Sequence, residues 1–218
     1  METIDVRTEI EQDFVPQAVI IADGDFPSHP KPCALLRKAK FVACCDGAVN
    51  EYVLRGGVPN LIVGDGDSIS EENREKFADI IVKIDDQETN DLTKTINQLK
   101  QRGFVSIAIL GATGKREDHT LGNISLLLEY KSMGLDVRMM TDYGTFIPAE
   151  DICGFSSFYR QQISIFNFGA TGMKADGLQY PISDFTSWWQ GTLNQAEGDS
   201  FTIQAKGKYI VFLTHEKK

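Results

Sequence analysis

Positive charge is in short supply: 22 Lys and Arg stand against 31 Asp and Glu, a formal net charge of −9. A nucleic-acid binder needs a basic footprint to neutralise phosphates, so no nucleic-acid partner is expected. Long apolar runs are missing too, and none approaches the ~20 residues of a membrane span. Residues 1–14 have neither the basic start nor the apolar stretch of a signal peptide, so no membrane association is expected. Cysteine is scarce and without C-x-x-C spacing: Cys33, Cys44, Cys45 and Cys153. These read as small buried thiols in a reducing cytoplasm, with the adjacent pair on opposite faces of a strand. Of only three histidines, His29 is expected in a proline-rich loop, His215 in a polar tail, and His119 follows Asp118. Nucleophilic catalysis built on histidine is therefore not expected, and neither repeats nor low-complexity segments occur.

What the chain has is an ordinary globular composition, 42% hydrophobic and 24% charged, over 218 residues. That length suits one full domain plus a smaller one and buries a core without disulfide or metal staples. Short continuous apolar runs at residues 18–22, 41–45, 61–63, 80–84, 106–110 and 137–141 read as strands buried on both faces of a parallel sheet. Helical periodicity fills residues 90–101, ending at Gly103, and residues 121–131, ending at Gly134. This alternation predicts a three-layer α/β domain over residues 1–144, with a mostly parallel sheet. Beyond it the pattern changes to alternating apolar and polar residues at 163–168 and 201–205, with a last β-rich run at 209–213. Residues 145–218 are read as a small antiparallel β-sandwich domain.

Ligands of open parallel sheets bind at the carboxyl ends of the strands, and here those ends are acidic and glycine-rich. The expected loops are Asp23-Gly24-Asp25, Asp46-Gly47-Ala48 with Asn50 beyond, and Gly64-Asp65-Gly66-Asp67-Ser68. They continue with Asp85-Asp86-Gln87-Glu88-Thr89-Asn90-Asp91 and then with residues 111–120, Gly-Ala-Thr-Gly-Lys-Arg-Glu-Asp-His-Thr. Single loop aspartates are common turn formers and caps, but carboxylates gathered at one rim repel unless a cation joins them. Oxygen-only ligands suit Mg²⁺, which keeps waters and is shared with nucleotide phosphates. Lys94, three residues after Asp91, lies on the same helix face. The 111–114 loop offers backbone N–H groups to phosphate, with Arg116 as a forked clamp. It is not a Walker A loop: Ile109 stands at the first glycine position and Arg116 at the Ser/Thr position. His119 reads equally as a nucleotide contact or a residue packing at a helix start. In the β domain Tyr180 reads as an ordinary packed tyrosine, and the Trp188-Trp189 pair can both pack and reach an interface.

Taken in order, these segments resemble the thiamine pyrophosphokinase family over nearly the whole chain. The residues that carry the resemblance are Asp46-Gly47, Asn50, Gly64-Asp65, Asp67-Ser68, Asp91, Lys94, Gly111-Ala112, Gly114, Arg116, Asp118-His119, Gly177-Leu178 and Tyr180. The chain departs from the pattern at Ala48 and Lys115, each in place of Gly, at Gly66 in place of a bulky residue, and at Asn90 in place of Thr. Leu193 replaces the Ser of Ser-Asn, leaving Thr192 and Asn194 as the polar pair.

The resemblance implies transfer of a pyrophosphoryl group from ATP to the hydroxyl of thiamine, giving thiamine diphosphate and AMP. It implies a homodimer, with thiamine held between an α/β domain and a β domain. Asp65, Asp67, Asp91 and Asp118 would hold Mg²⁺ against the triphosphate, while Lys94 and Arg116 neutralise phosphoryl charge. Nucleotide contacts would fall to Asp46, Asn50, Gly111, Thr113, Gly114, Arg116, His119 and Thr120. The thiamine pyrimidine would stack on Tyr180, with Gln87, Thr192 and Asn194 as polar contacts. Two other readings stand beside it: an Mg²⁺-dependent nucleotide phosphohydrolase, and a non-catalytic nucleotide-binding regulator.

Overall fold

A computed structural model describes residues 14–217. The chain divides into two compact units, Val15–Tyr143 and Gly144–Lys218.

In the first unit six parallel strands run β1 (Ala18–Ile21), β2 (Val42–Cys45), β3 (Leu61–Gly64), β4 (Ile81–Lys83), β5 (Ser106–Leu110) and β6 (Asp136–Met140). Their spatial order is β6-β5-β1-β2-β3-β4. The chain thus builds outward from β1 to β4, returns, and builds outward again from β5 to β6. The return leg is α4 (Asp91–Gln101), which packs across β3, β2 and β1. β1, β2 and β3 are buried along their whole length, as strands covered on both faces must be. Cys44 packs on one face with Val49 of α2 (Ala48–Leu54), while the Cys45 thiol on the other lies 3.3 Å from the Thr95 hydroxyl of α4. The adjacent cysteines therefore face opposite ways.

Two histidines are placed differently from expectation. The stretch expected to be a loop around His29 is the start of α1 (Pro30–Lys38). Proline is tolerated in a first helical turn, where the missing N–H has no intrahelical partner anyway. His29 caps this helix, its Nδ1 accepting from the Lys31 amide. His215, expected in a polar tail, is buried in β13 (Lys208–Lys217). Helix α5 (Glu117–Ser132) begins four residues before the 121 predicted from its apolar stripe. Its first turn is polar, and Glu117 and Asp118 there complement the positive helix end.

The second unit pairs two antiparallel sheets. One is ordered β11 (Asn194–Gln195), β9 (Gln161–Asn167), β13 and β7 (Gly144–Glu150). The other is β10 (Thr171–Asp176), β12 (Ser200–Lys206) and β8 (Cys153–Ser156). Alternate residues point inward: Ile163 and Ile165 from β9, Phe201 and Ile203 from β12, Tyr209 and Val211 from β13. Phe155 and Phe201 stack at 4.9 Å between ring centroids. Among the described residues no helix is long and apolar enough to cross a membrane.

Asp142, just after β6, ties down the approach to α1. Its carboxylate accepts from the Ser28 hydroxyl and from the backbone amides of Ser28 and His29, each amide 2.9 Å from Oδ1. Partial burial pushes its pKa up, but these bonds outweigh burial and hold it below the ordinary carboxylate value. A carboxyl that binds its proton more weakly folded than unfolded stabilises above its unfolded pKa and loses that contribution as pH falls through the folded one. Asp142→Asn is therefore expected to lower unfolding stability at pH 7 by about 1–2 kcal/mol. In urea titrations the gap from the parent chain should close below about pH 4.

Candidate active site

A doubly wound sheet opens a crevice where its strand order reverses, here between the carboxyl ends of β1 and β5. The two loops leaving those ends are laced together. Ala22 N donates to Leu110 O at 2.9 Å, Gly24 N to Gly111 O at 2.6 Å and Asp25 N to Thr113 O at 2.8 Å. The approach is so close that a Cβ on Gly24 would overlap the carbonyl oxygens of Thr113 and Gly111. Gly111 is itself left-handed, at φ 64°, and a side chain there would press on Ala22 O. Only glycine meets both demands without strain.

Beside this seam lies a cleft of about 470 Å³. Asp23, Asp46, Asp65, Asp86 and Asp91 line it together with Lys94, Lys115 and Arg116. Each charge has a local partner or task. Lys94 Nζ donates to Asp91 Oδ1 at 3.0 Å, and the Lys94 side chain is only 5% exposed. That ammonium sits in the first turn of α4, capped by Asn90, whose Oδ1 accepts from Thr93 N at 2.9 Å. Arg116 grips Asp118 in a forked pair, and this contact, more than the His119 amide, holds the Asp118 carboxyl below its usual range. Lys115 Nζ reaches Asp23 Oδ1 at 3.0 Å. Cys45 also lines the cleft, but burial pushes its thiol up to about 12 despite the Thr95 hydrogen bond, so it supplies no thiolate nucleophile.

Of the residues expected in the site, Asp46, Asp65, Gln87, Asp91, Lys94, Gly114, Arg116 and His119 line the cleft. Asn50, Asp67, Gly111, Thr113, Asp118 and Thr120 do not, and several of them brace it. Asp46 is buried, at φ 38°, and its two carboxylate oxygens accept from Gly66 N at 2.9 Å and Ser68 N at 3.0 Å. Asn50 donates to Ser68 O at 2.8 Å and accepts from Ser70 N at 3.0 Å. Together they shape the loop that carries Asp65 and Asp67, and Asp65 Oδ1 accepts from Asp67 N at 3.1 Å. A residue the sequence did not mark is Asn123 of α5. It donates to Ala112 O at 2.9 Å and accepts from Asn90 at 3.0 Å, linking the glycine loop to the cap of α4. An asparagine inside a helix carries no local signal of such a link.

Tyr180, Thr192 and Asn194 belong to the β unit. Tyr180 is 54% exposed, so it is not the packed tyrosine that its sequence context alone suggested. It walls a recess with Tyr159, Arg160, Gln179, Gln195 and Glu197. Asn194, expected as a polar contact, is buried and committed elsewhere. Its Oδ1 accepts from Tyr180 N at 3.1 Å and its Nδ2 donates to Tyr180 O at 2.9 Å, a two-point grip on the Tyr180 main chain. The Thr192 hydroxyl donates to Trp189 O at 2.7 Å.

Among the described residues no three Asp, Glu, His or Cys side chains converge as a ready-made metal cage. The donor set still fits Mg²⁺, because that ion is held by one or two carboxylates plus substrate phosphates and waters rather than by an all-protein cage. Asp65 and Asp91, both on the cleft wall, can serve in that way.

Fold and cleft thus define an α/β domain with a charged cleft at its reversal point, followed by a β-sandwich domain. The family comparisons agree. Residues 33–139 match the model for the thiamin pyrophosphokinase catalytic domain, and residues 144–212 match the one for its substrate-binding domain. The chain belongs to the thiamin pyrophosphokinase family. It is 36% identical over 105 residues to thiamin pyrophosphokinase 1 of Caenorhabditis elegans, covering 44% of this chain and 43% of that protein. It is 28% identical over 150 residues to thiamine pyrophosphokinase 1 of Oryza sativa subsp. japonica, covering 57% and 55%. The matched stretch therefore spans about half the length of these relatives. In structure it is similar to the thiamine pyrophosphokinase of Bacillus subtilis, with a TM-score of 0.75 at 20% identity over 90% of this chain and 98% of that one. The Candida albicans enzyme gives 0.73 at 17%, covering 92% and 90%. At such identities the likeness is one of fold.

The bracing role of Asp46 is testable. Asparagine keeps only one acceptor, so its amide would point N–H at a backbone N–H of Gly66 or Ser68. Asp46→Asn should cost about 2 kcal/mol of stability in urea titrations. Asp65→Asn, half-buried on the loop that Asp46 braces, should cost no more than about 0.5 kcal/mol.

Proposed function

We propose that this protein transfers the pyrophosphoryl group of ATP to the hydroxyl of thiamine, releasing AMP. The observation that carries the reading is the cleft at the sheet's reversal point, with three cations among its carboxylates, in a chain whose halves match the family's catalytic and substrate-binding domains. Phosphoryl-type transfer asks little covalent work of a protein; it asks for positioning and for charge opposite the phosphoryl oxygens. Lys94, fixed at the foot of α4 by Asp91, supplies a buried positive charge. Arg116 adds a forked donor set suited to phosphate oxygens, and Asp118 orients it. The backbone of the loop carrying Gly111, Thr113 and Gly114 lies alongside, and His119 and Thr120 follow at the start of α5.

Asp65 and Asp91 would hold Mg²⁺, with Asp67 behind them on the same loop as Asp65. Bound with ATP, the ion would neutralise charge on the phosphate oxygens. Gln87 in the cleft and Tyr180 in the β unit are proposed to hold thiamine, the ring stacking on Tyr180, and Asn194 to fix the Tyr180 main chain. A homodimer belongs to the same reading. One face of the β7-β13-β9 sheet carries the partly exposed rings of Phe146, Phe212 and Phe166, flanked by Trp188, 43% exposed, and Trp189, 75% exposed. Free thiols at Cys33, Cys44, Cys45 and Cys153 favour the reducing cytoplasm as its location.

Mass analysis of products from ATP, Mg²⁺ and thiamine tests the reaction. Attack at the β-phosphorus gives AMP one-for-one with thiamine diphosphate. ADP with thiamine monophosphate would refute the reading, and ATP hydrolysis independent of thiamine would favour the phosphohydrolase. Asp91→Asn should lower turnover by at least about 100-fold, because it removes a metal ligand and leaves Lys94 buried without its partner. An unchanged rate would remove Asp91 from the site.

A further inference from the structure

Lys115 stands where the family pattern has glycine, and its backbone explains that glycine: φ is 55°, in the left-handed region. A lysine there carries a conformational cost that glycine would not. Strain of this kind persists where a side chain is used, so the question is what the ammonium does. Its partner is Asp23, also on the cleft wall, 3.0 Å away, with the two side chains 56% and 57% exposed. Such an exposed pair contributes little to stability. The loop does not need it either, because three backbone hydrogen bonds already lace residues 22–25 to residues 110–113. Holding the fold together therefore does not account for Lys115.

Electrostatics does. Five aspartates line the cleft against three cations; of these, Lys94 is held by Asp91 and Arg116 by Asp118. A triphosphate entering this rim meets more negative than positive charge. Lys94 is buried and Arg116 is bound to Asp118 by two contacts, so the cation most easily released to the triphosphate is Lys115, held to Asp23 by one exposed contact. We propose that Lys115 is a nucleotide-phosphate ligand that the glycine of the family pattern cannot supply, parked on Asp23 and handed over to the polyphosphate when it binds. The proposal rests on the reading of the cleft as the ATP site. An incoming phosphate replaces one carboxylate partner by a more highly charged one, so the exchange favours the bound state.

The test measures ATP and adenosine binding by calorimetry with Mg²⁺ and without thiamine, on the parent chain and on Lys115→Gly and Lys115→Met. Glycine accepts the left-handed backbone, so Lys115→Gly should melt no lower than the parent. Both variants are expected to bind ATP about tenfold more weakly. Their adenosine affinity should be unchanged, and their ATP affinity should depend less steeply on salt. ATP affinity equal to the parent's in both variants would overturn the role of Lys115 while leaving the cleft an ATP site. Equal weakening of ATP and adenosine would overturn it as well, because Lys115 would then act by shaping the loop. If the parent chain itself binds no ATP, the reading of the cleft falls and this inference with it.

Discussion

The contact on which the site depends is the side-chain-free meeting of two backbone turns, Gly24 against Gly111. A parallel sheet that grows outward from a central pair of strands leaves a gap above that pair, and something must close the floor of the gap. Here the loops after β1 and β5 close it with their own amides and carbonyls, which satisfies backbone groups that would otherwise be buried unpaired. Two consequences follow from one seam. The loop from Gly111 to Arg116 is held rigidly enough to present its cations in one place. The rim of the sheet becomes a one-sided wall on which the other loops must stand.

Those other loops are acidic, and their acidity is of two kinds. Asp46 faces inward and has both oxygens committed to amides of the next loop, so its charge works as an anchor. Asp65 and Asp91 line the cleft with Oδ1 engaged and Oδ2 left for a ligand, while Asp86 spends both oxygens on the Glu88 amide and the Thr89 hydroxyl. Asn50, Asn90 and Asn123 do neutral bracing where a further carboxylate would only add repulsion. The division answers how so acidic a rim could stand beside the triphosphate of the proposed reaction: part of its charge is already engaged in holding the backbone, and the remainder would be balanced by Lys94, Arg116 and the proposed cation shared with the substrate.

Much of this was legible in the sequence, for physical reasons that can be named. Strands buried on both faces must be apolar throughout, so β1, β2, β3 and β5 stand out as runs. Loops at strand ends are bounded by those runs, so the acidic segments were located with them. The stripe of α4 and the three-residue spacing of Asp91 and Lys94 put that ion pair on one helix face. What stayed hidden depends on tertiary partners. Pro30 and Pro32 resemble a loop until the helix they begin is seen. β7, β8 and β10 contain Pro148, Gly154 and Gly172, which mask alternation. The identical residue types Asp46 and Asp65 cannot be sorted into anchor and ligand from spacing alone, since only the fold decides which amides come within reach.

Asn194 makes the same point for the β unit. A polar residue in a family motif invites a reading as a substrate contact, yet this amide accepts from the Tyr180 N–H, donates to the Tyr180 carbonyl and lies buried. What it offers a ligand is therefore indirect. It removes freedom from the main chain that carries an exposed aromatic ring, so less entropy would remain to be lost in the proposed stacking of a thiamine ring there. Leu193, left-handed at φ 63° and 66% exposed, sits beside it with no polar group to add. In this chain the Ser-to-Leu departure therefore falls outside the grip on Tyr180, and the part of the motif that shapes the recess is intact.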